Sequence, residues 1–147
     1  MTWSVHIPGQ PLSINDQAEL HTIHGSTRRA WSEAFYTYRD AVSVYVQQAM
    51  PRSWQPPTYQ PKLGRGFLAI EIDLALTRDM DCDNMLKALL DGVKIGLGVQ
   101  TVQTRMGGVR LKPIYDDIGF LPRFMSKRLV GKKGKAGVTL TIREVDL

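Results

Sequence analysis

The stretch that decides the fold reads LAIEIDLAL at residues 68–76, TRDMDCDN at 77–84 and MLKALLDGVKIGLG at 85–98. In the first part, apolar residues alternate with Glu71 and Asp73, the period-two pattern of a strand with one buried face. In the last part, apolar residues follow the spacing of an amphipathic helix. These positions are Leu86, Leu89, Leu90 and Val93. A strand, an acidic loop and a helix are therefore predicted in this order.

The rest of the chain follows the same two patterns. Period-two alternation predicts a strand at each end of the chain and another at residues 124–130. The inward positions of the two terminal strands are Trp3, Val5, Ile7, Val138, Leu140 and Ile142. Helical spacing predicts a long helix from Arg28 to Met50, and Gly96 and Gly98 are expected to end the second helix. We therefore expect an α+β fold with a small mixed β-sheet and two main helices.

Two segments connect these elements. A proline-rich stretch at residues 51–61 predicts a stiff surface loop after the long helix. Gly107-Gly108 predicts a turn between two extended segments, and so an inserted hairpin near residues 97–115. At 147 residues, of which 43% are apolar, the chain has the size for one substantial core. We expect residues 1–147 to form a single domain.

The composition limits the range of expected partners and cellular locations. A formal net charge of +5 favours polyanionic partners such as nucleic acid, although a solubilising surface would give the same charge. Cys82 is the single cysteine, which excludes an intramolecular disulfide and predicts a reducing, cytoplasmic location. No apolar run approaches the roughly 18 residues of a membrane span, and the first residues lack the pattern of an export signal. No membrane association is expected.

The acidic loop carries residues suited to metal chemistry. Asp81 and Asp83 follow the end of a strand, and converging carboxylates repel each other unless a cation compensates. Carboxylate oxygens favour Mg²⁺ or Mn²⁺. Lys87 lies on the same helix face as Asp83 if the helix begins there, and its ammonium would offset charge in a phosphodiester transition state. This pattern is typical of a metal-dependent phosphodiesterase.

Plainer interpretations of the same residues stay open. Asp83 would cap the second helix, Asp81 would be solvated, and Lys87 would pair with Asp83 or Asp91 on the helix surface. The acidic pair Asp116-Asp117 would supply another ligand from a neighbouring loop, or would be a solvated turn. From the residues alone, these alternatives are not separated.

The ordered pattern Asp81-x-Asp83-Asn84-x-x-Lys87-x-x-x-Asp91, followed by Asp116-Asp117, resembles the RusA family of Holliday junction resolvases. Other features occur in the family's order. They are an opening strand followed by Pro11-Leu12-Ser13-Ile14-Asn15, a long helix, a strand entering the acidic motif, and a closing basic turn and strand at residues 132–144. The resemblance covers most of the chain, and Asp-x-Asp-Asn-x-x-Lys is its specific part. Residues 96–115 form a longer connection than is usual in the family.

The resemblance implies a homodimeric, Mg²⁺-dependent endonuclease of DNA recombination and repair, with Mn²⁺ as a substitute metal. Such hydrolases cut four-way DNA junctions with paired nicks and are often encoded by phages or prophages. By the same resemblance the metal-site acids are Asp81, Asp83 and Asp117, all counted as catalytic together with Lys87. The choice of Asp117 over Asp116 comes from the resemblance. A homodimer suits a junction, since a two-fold protein presents two equivalent sites to two equivalent strands.

A basic segment near the C-terminus is the predicted DNA contact, because such groups bind phosphates regardless of sequence. Its residues are Lys127, Arg128, Lys132, Lys133 and Lys135. A solvated hairpin tip would carry the same charges. Weaker candidates are Arg28, Arg29, Arg105 and Arg110. Two other functions stay open: a nuclease acting on other branched or single-stranded nucleic acid, and a non-catalytic DNA-binding module.

Overall fold

A computed structural model of the protein describes residues 2–13, 18–23, 26–54, 67–81, 85–113, 119–131 and 135–145. Within these residues the chain forms eight strands and two α-helices. In chain order they are β1 (Thr2–Pro8), β2 (Ala18–Ile23), β3 (Ser26–Trp31), α1 (Glu33–Ala49), β4 (Phe67–Leu76), α2 (Leu86–Leu97), β5 (Val99–Gln103), β6 (Val109–Pro113), β7 (Gly119–Leu129) and β8 (Gly137–Val145). A short 3₁₀ turn, Arg52–Trp54, follows α1.

Four of these strands form the main sheet, in the order β1-β8-β4-β7. β8 runs antiparallel to both β1 and β4, whereas β7 runs parallel to β4. The predicted strand at residues 68–76 is therefore central, and its alternating apolar side chains are at most 1% exposed: Leu68, Ile70, Ile72, Leu74 and Leu76. β2 pairs with β3, and β5 with β6, in two separate antiparallel pairs. An α+β fold with a mixed sheet and two helices is confirmed.

The helices cover one face of the main sheet. Val5, Leu140 and Ile72 are register partners across three strands, and all three are buried in one core with residues of both helices, such as Val46 and Leu89. Burying side chains of this size contributes about 1.5–3 kcal/mol each. Alternate residues of a strand point to opposite sides, so the other face of β1 and β8 carries polar side chains: Ser4, His6, Thr139 and Thr141. Neither described helix has the length and apolar content needed to cross a membrane.

The two helices touch through glycines of α2. A β-carbon added at Gly92 would lie 2.6 Å from Val42 Cβ and 2.7 Å from the Arg39 carbonyl oxygen. At Gly96 it would lie 2.6 Å from Val46 Cβ. α2 continues to Leu97 and Gly98 is its C-cap residue, so Gly98 ends the helix as predicted and the prediction for Gly96 is wrong. Gly96 lies inside α2, where only a glycine lets the two helices approach this closely.

The start of the long helix also differs from the prediction. The helix was expected from Arg28, but residues 26–31 form β3, in which Trp31 pairs with Ala18. Ser32 is the N-cap of α1, and its Oγ accepts a hydrogen bond from the Phe35 backbone N–H at 3.1 Å. A serine in this position satisfies an N–H that has no partner within the helix. Sheet pairing therefore overrides the helical spacing of the preceding residues.

The segment after α2 folds as an antiparallel pair. β5 and β6 meet in register from Val99–Pro113 to Gln103–Val109, around a turn in which Gly107 has a φ of 80°. This is the region in which the sequence predicts a hairpin. β6 contacts α2, so the hairpin lies against the helical layer. Residues 55–66, which include most of the predicted proline-rich loop, lie outside the described residues.

Candidate active site

The acidic loop leaves the central strand at one end of the sheet. β4 ends at Leu76, whose carbonyl oxygen accepts a hydrogen bond from Val130 N–H at 2.9 Å. Residues 77–81 follow, and Asp81 is exposed. Asp81 therefore lies in the loop that follows the carboxyl end of β4.

Gln10 holds the acidic loop in place. Its side-chain oxygen accepts hydrogen bonds from Thr77 N–H at 2.8 Å and from Thr77 Oγ1 at 3.1 Å. Its amide nitrogen donates to the Arg78 carbonyl oxygen at 3.3 Å and to Met80 Sδ at 3.0 Å. Sequence reasoning missed this role, because Gln10 lies in a Pro-Gly-Gln-Pro turn that indicates only the end of β1. The Gln10 side chain thus supplies hydrogen bonds to residues 77–80, which follow the end of β4 and are no longer paired in the sheet.

Gln10→Ala should loosen this loop. The two hydrogen bonds from Thr77 contribute about 0.5–1.5 kcal/mol each, so we expect a loss of about 1–3 kcal/mol in the free energy of unfolding. A displacement of about 1 Å at a catalytic group lowers rates by as much as roughly 100-fold, so any nucleolytic activity should fall more than DNA binding. Urea unfolding and cleavage rates measure the two effects. Gln47→Ala, on the exposed side of α1, is the control, and a Gln10→Ala protein indistinguishable from it would contradict the anchoring role.

Lys127 anchors the loop from β7. Its Nζ lies 2.7 Å from Asp79 Oδ1 and donates a hydrogen bond to the Met80 carbonyl oxygen at 3.2 Å. The hydrogen bond and the positive charge of Lys127 hold the pKa of Asp79 below its ordinary value. The carboxylate of Asp79 is thus paired with the ammonium group of Lys127. Lys127, predicted as a DNA contact, lies beside the loop that carries Asp81.

Lys87 lies in the first turn of α2, with half of its side chain exposed. Its Nζ is 3.0 Å from Asp91 Oδ2 and 5.8 Å from the ring centre of Trp31. The Lys87–Asp91 pair of the plainer interpretation is therefore present. An exposed pair of this kind contributes at most about 0.5 kcal/mol, so it does not prevent Lys87 from turning to a substrate.

The relation between Asp83 and Lys87 needs a correction. The α-helix begins at Leu86, and its N-cap is Met85, which makes no side-chain capping hydrogen bond. Met85 holds the cap position predicted for Asp83, and Asp83 itself lies outside the described residues. Asp83 and Lys87 were expected to share a helix face only if the helix begins at Asp83, and α2 begins at Leu86 instead.

Much of the predicted metal site lies outside the described residues. These are Asp83, Asp116 and Asp117, and the same holds for Lys132 and Lys133 of the basic segment. In the part of the chain that the structure describes, no three His, Cys, Asp or Glu side chains group as a metal site. Asp81 is the described member of the proposed set, and its exposed carboxylate is the oxygen donor that Mg²⁺ prefers.

The register of β7 bears on the third acid. Gly119, two residues after Asp117, pairs with Phe67 at the start of β4, whereas the acidic loop follows Leu76 at its end. A ten-residue strand spans about 30 Å, and two residues reach at most about 7 Å. The chain therefore enters β7 at the end of the sheet opposite the acidic loop.

Three residues of the predicted basic segment, Lys127, Arg128 and Lys135, lie within the described residues. Arg128 lies on the open face of the sheet, where its guanidinium is 3.0 Å from Asp73 Oδ2. Its neighbour Lys127 faces the acidic loop, and Lys135 is exposed before β8. Arg128 and Gly137 both pair with Ala75, so these three basic residues lie at the same end of the sheet.

The Asp73 contact predicts a pH dependence of stability. The hydrogen bond from Ser126 and, after it, the interaction with Arg128 hold the pKa of Asp73 below its ordinary value. This contribution is full above the unfolded-state pKa of about 3.9 and is lost as pH falls through the folded-state pKa. With the Asp73 side chain 45% exposed, we expect less than about 1 kcal/mol. Urea unfolding of the wild type and Asp73→Asn should differ at pH 7, and the difference should shrink as pH falls below about 3.9. A difference that stays constant would contradict this assignment.

Comparison with known proteins gives no family for the chain. No family model matches the sequence, and no curated protein matches it significantly.

Proposed function

We propose that the protein is a Mg²⁺-dependent, structure-selective endodeoxyribonuclease that resolves four-way DNA junctions by paired nicks and acts as a homodimer in the cytoplasm. One observation carries the proposal. The exposed Asp81 sits on a loop anchored at the end of the central strand, and the helix that follows presents Lys87 in its first turn. This is the arrangement expected for the Asp-x-Asp-Asn-x-x-Lys pattern that resembles the RusA family. The net charge of +5 supports a polyanionic substrate.

Each residue has a role in this proposal. Asp81, Asp83 and Asp117 would hold Mg²⁺, which when bound polarises a phosphate and lowers the pKa of a water molecule. Lys87 would place its ammonium against the oxygens of the reacting phosphate, where negative charge increases. Gln10 and Lys127 contact the acidic loop. They hold the loop so that Asp81 is positioned before the DNA arrives.

The test is a cleavage assay on synthetic DNA. Purified protein should nick a four-way junction in the presence of Mg²⁺, with Mn²⁺ as a second metal, and should nick it far faster than a linear duplex of the same sequence. A chelator should abolish nicking. Cleavage of flaps or single strands in preference to junctions would favour the alternative nuclease. Junction binding without metal-dependent cleavage would favour a DNA-binding module and would overturn the proposal.

Because β7 begins at the end of the sheet opposite the acidic loop, a second copy of the chain is relevant to the third acid. In a homodimer with shared sites, Asp117 of one protomer would meet Asp81 of its partner. Co-expression of Asp81→Asn with Asp117→Asn should then restore one complete site per mixed dimer, and so single nicks without paired ones. Each variant alone should be inactive. If the mixture is also inactive although mixed dimers form, the acids act within one protomer.

A further inference from the structure

A groove runs between the start of α1 and the β5–β6 hairpin. Two adjoining cavities, of about 610 Å³ and 200 Å³, form it, and both are lined by Arg39 and Asp91. The larger lies between Trp31 at the end of β3 and Lys112 of the hairpin; the smaller includes Lys87. We call this the α1–hairpin groove. It adjoins the lysine assigned to the proposed reaction.

The groove carries an excess of positive charge. Five basic side chains line it: Arg39, Lys87, Lys94, Arg110 and Lys112. Two carboxylates oppose them, and each has a cation at hand, since Asp40 pairs with Arg39 at 2.9 Å and Asp91 with Lys87 at 3.0 Å. Among the described residues, no carboxylate pairs with Arg110 or Lys112. Unpaired cations along a groove attract a polyanion.

Aromatic rings form the other wall. Trp31 stacks on the buried Phe35, with ring centres 4.5 Å apart and planes at 16°. Phe35 therefore holds the indole in a defined orientation, while 39% of Trp31 stays exposed. Tyr36 is 43% exposed beside it. A supported, partly exposed ring next to basic groups is the surface on which unpaired bases stack.

The size of the groove selects the form of nucleic acid. A cavity of about 610 Å³ lies in the range of pockets that enclose small ligands, which corresponds to about one or two nucleotides. A base inside a duplex is already stacked on both faces, so it cannot also stack on Trp31. The groove therefore fits an unpaired strand better than a duplex.

We propose that the α1–hairpin groove binds an unpaired DNA strand, with a base stacked on Trp31 and phosphates at Arg110 and Lys112. The inference rests on the proposed function and deepens it, because it makes opened strands beside the branch point the substrate feature that this protein recognises. Arg110 and Lys112 belong to the hairpin within residues 96–115, the connection that is longer than is usual in the RusA family, which the sequence resembles. Binding by the groove requires no metal.

The experiment measures binding of a labelled oligothymidine to the full protein in chelator, by fluorescence anisotropy. Trp31→Ala should weaken binding about 5- to 100-fold, and Trp31→Phe, which keeps a stacking ring, should weaken it far less. Arg110→Ala with Lys112→Ala should lower the slope of log K against log salt by about 1.4. Arg52→Ala with Arg143→Ala removes the same charge from exposed sites outside the groove and is the matched control.

Intrinsic fluorescence provides an independent readout. Of the three tryptophans, Trp3 and Trp54 are 7% and 3% exposed, so Trp31 is the one that a ligand can reach. Oligothymidine should quench the emission of the wild type but not that of Trp31→Phe. The inference is overturned if quenching is absent, if the control double variant weakens binding as much as the groove variant, or if polyglutamate quenches Trp31 equally well. The last result would indicate an acidic protein segment as the occupant.

These outcomes are separate from those of the cleavage assay. A protein that cuts junctions but binds oligothymidine equally well with and without Trp31 has the proposed function and no such groove function. A protein that shows quenching but never cuts has the strand-binding groove and not the nuclease activity.

Discussion

Asp81→Asn is expected to reduce Mg²⁺-dependent cleavage of a four-way junction by at least about 100-fold while leaving junction binding within about twofold. The substitution keeps the size of the side chain and removes the negative charge that a hard cation requires. A bound metal supplies several kcal/mol of transition-state stabilisation, and each 1.36 kcal/mol changes the rate tenfold. Asp81 is exposed, so the folded state should tolerate asparagine. Single-turnover cleavage and a binding assay in chelator measure the two quantities.

The control for this prediction is Glu144→Gln, another exposed carboxylate changed to an amide, on β8. It should cleave at the wild-type rate. If Asp81→Asn also cleaves at that rate, Asp81 is not part of the catalytic site. If it loses binding and cleavage equally, its role is to shape the DNA-contacting surface.

Gly92→Ala is expected to destabilise the protein by about 1–3 kcal/mol, even though alanine is the better helix former. The added methyl group would meet Val42 Cβ at 2.6 Å and the Arg39 carbonyl oxygen at 2.7 Å. The backbone oxygen cannot rotate away, so the helices must move apart. For a chain of this length the midpoint of thermal unfolding should fall by roughly 2–4 °C per kcal/mol.

Gln47→Ala on the exposed side of α1 provides the reference, with an expected change within about 0.5 kcal/mol. The sign makes the test decisive. Replacing a helical glycine that has free space around it by alanine raises the free energy of unfolding by up to about 1 kcal/mol. A more stable Gly92→Ala protein would therefore show that the helices do not meet at this residue.

The sequence predicts the parts of the fold in which one periodic pattern decides the structure. β4 and α2 follow directly from residues 68–98, because the apolar residues of each have one buried face. The sequence does not predict the β2–β3 hairpin, because helical spacing extends the expected long helix back over residues 28–31. Pairing with a distant strand decided their conformation, and local spacing carries no information about such pairing. Ser32 was the available signal, as a preferred N-cap residue.

For the candidate site, the sequence predicts the residues proposed to react but not the residues that anchor the loop. The chemistry proposed for Asp81 and Lys87 can be inferred from residue type and spacing, and both side chains are exposed in the structure. The anchors cannot be inferred in this way. Gln10 is 67 residues from Thr77 in sequence, and the contact between Lys127 and Asp79 depends on the parallel pairing of β4 with β7. Such contacts follow from topology and leave no local pattern.

The contact between the two helices has an electrostatic consequence. Gly92 meets Val42 and Gly96 meets Val46, so residue numbers rise together and the helices run parallel. Peptide dipoles add along each helix to about half a positive charge at its first turn, and here both first turns lie at the same end of the domain. α2 begins five residues after Asp81, at Leu86. The backbone therefore adds a positive potential there that a count of lysines and arginines omits.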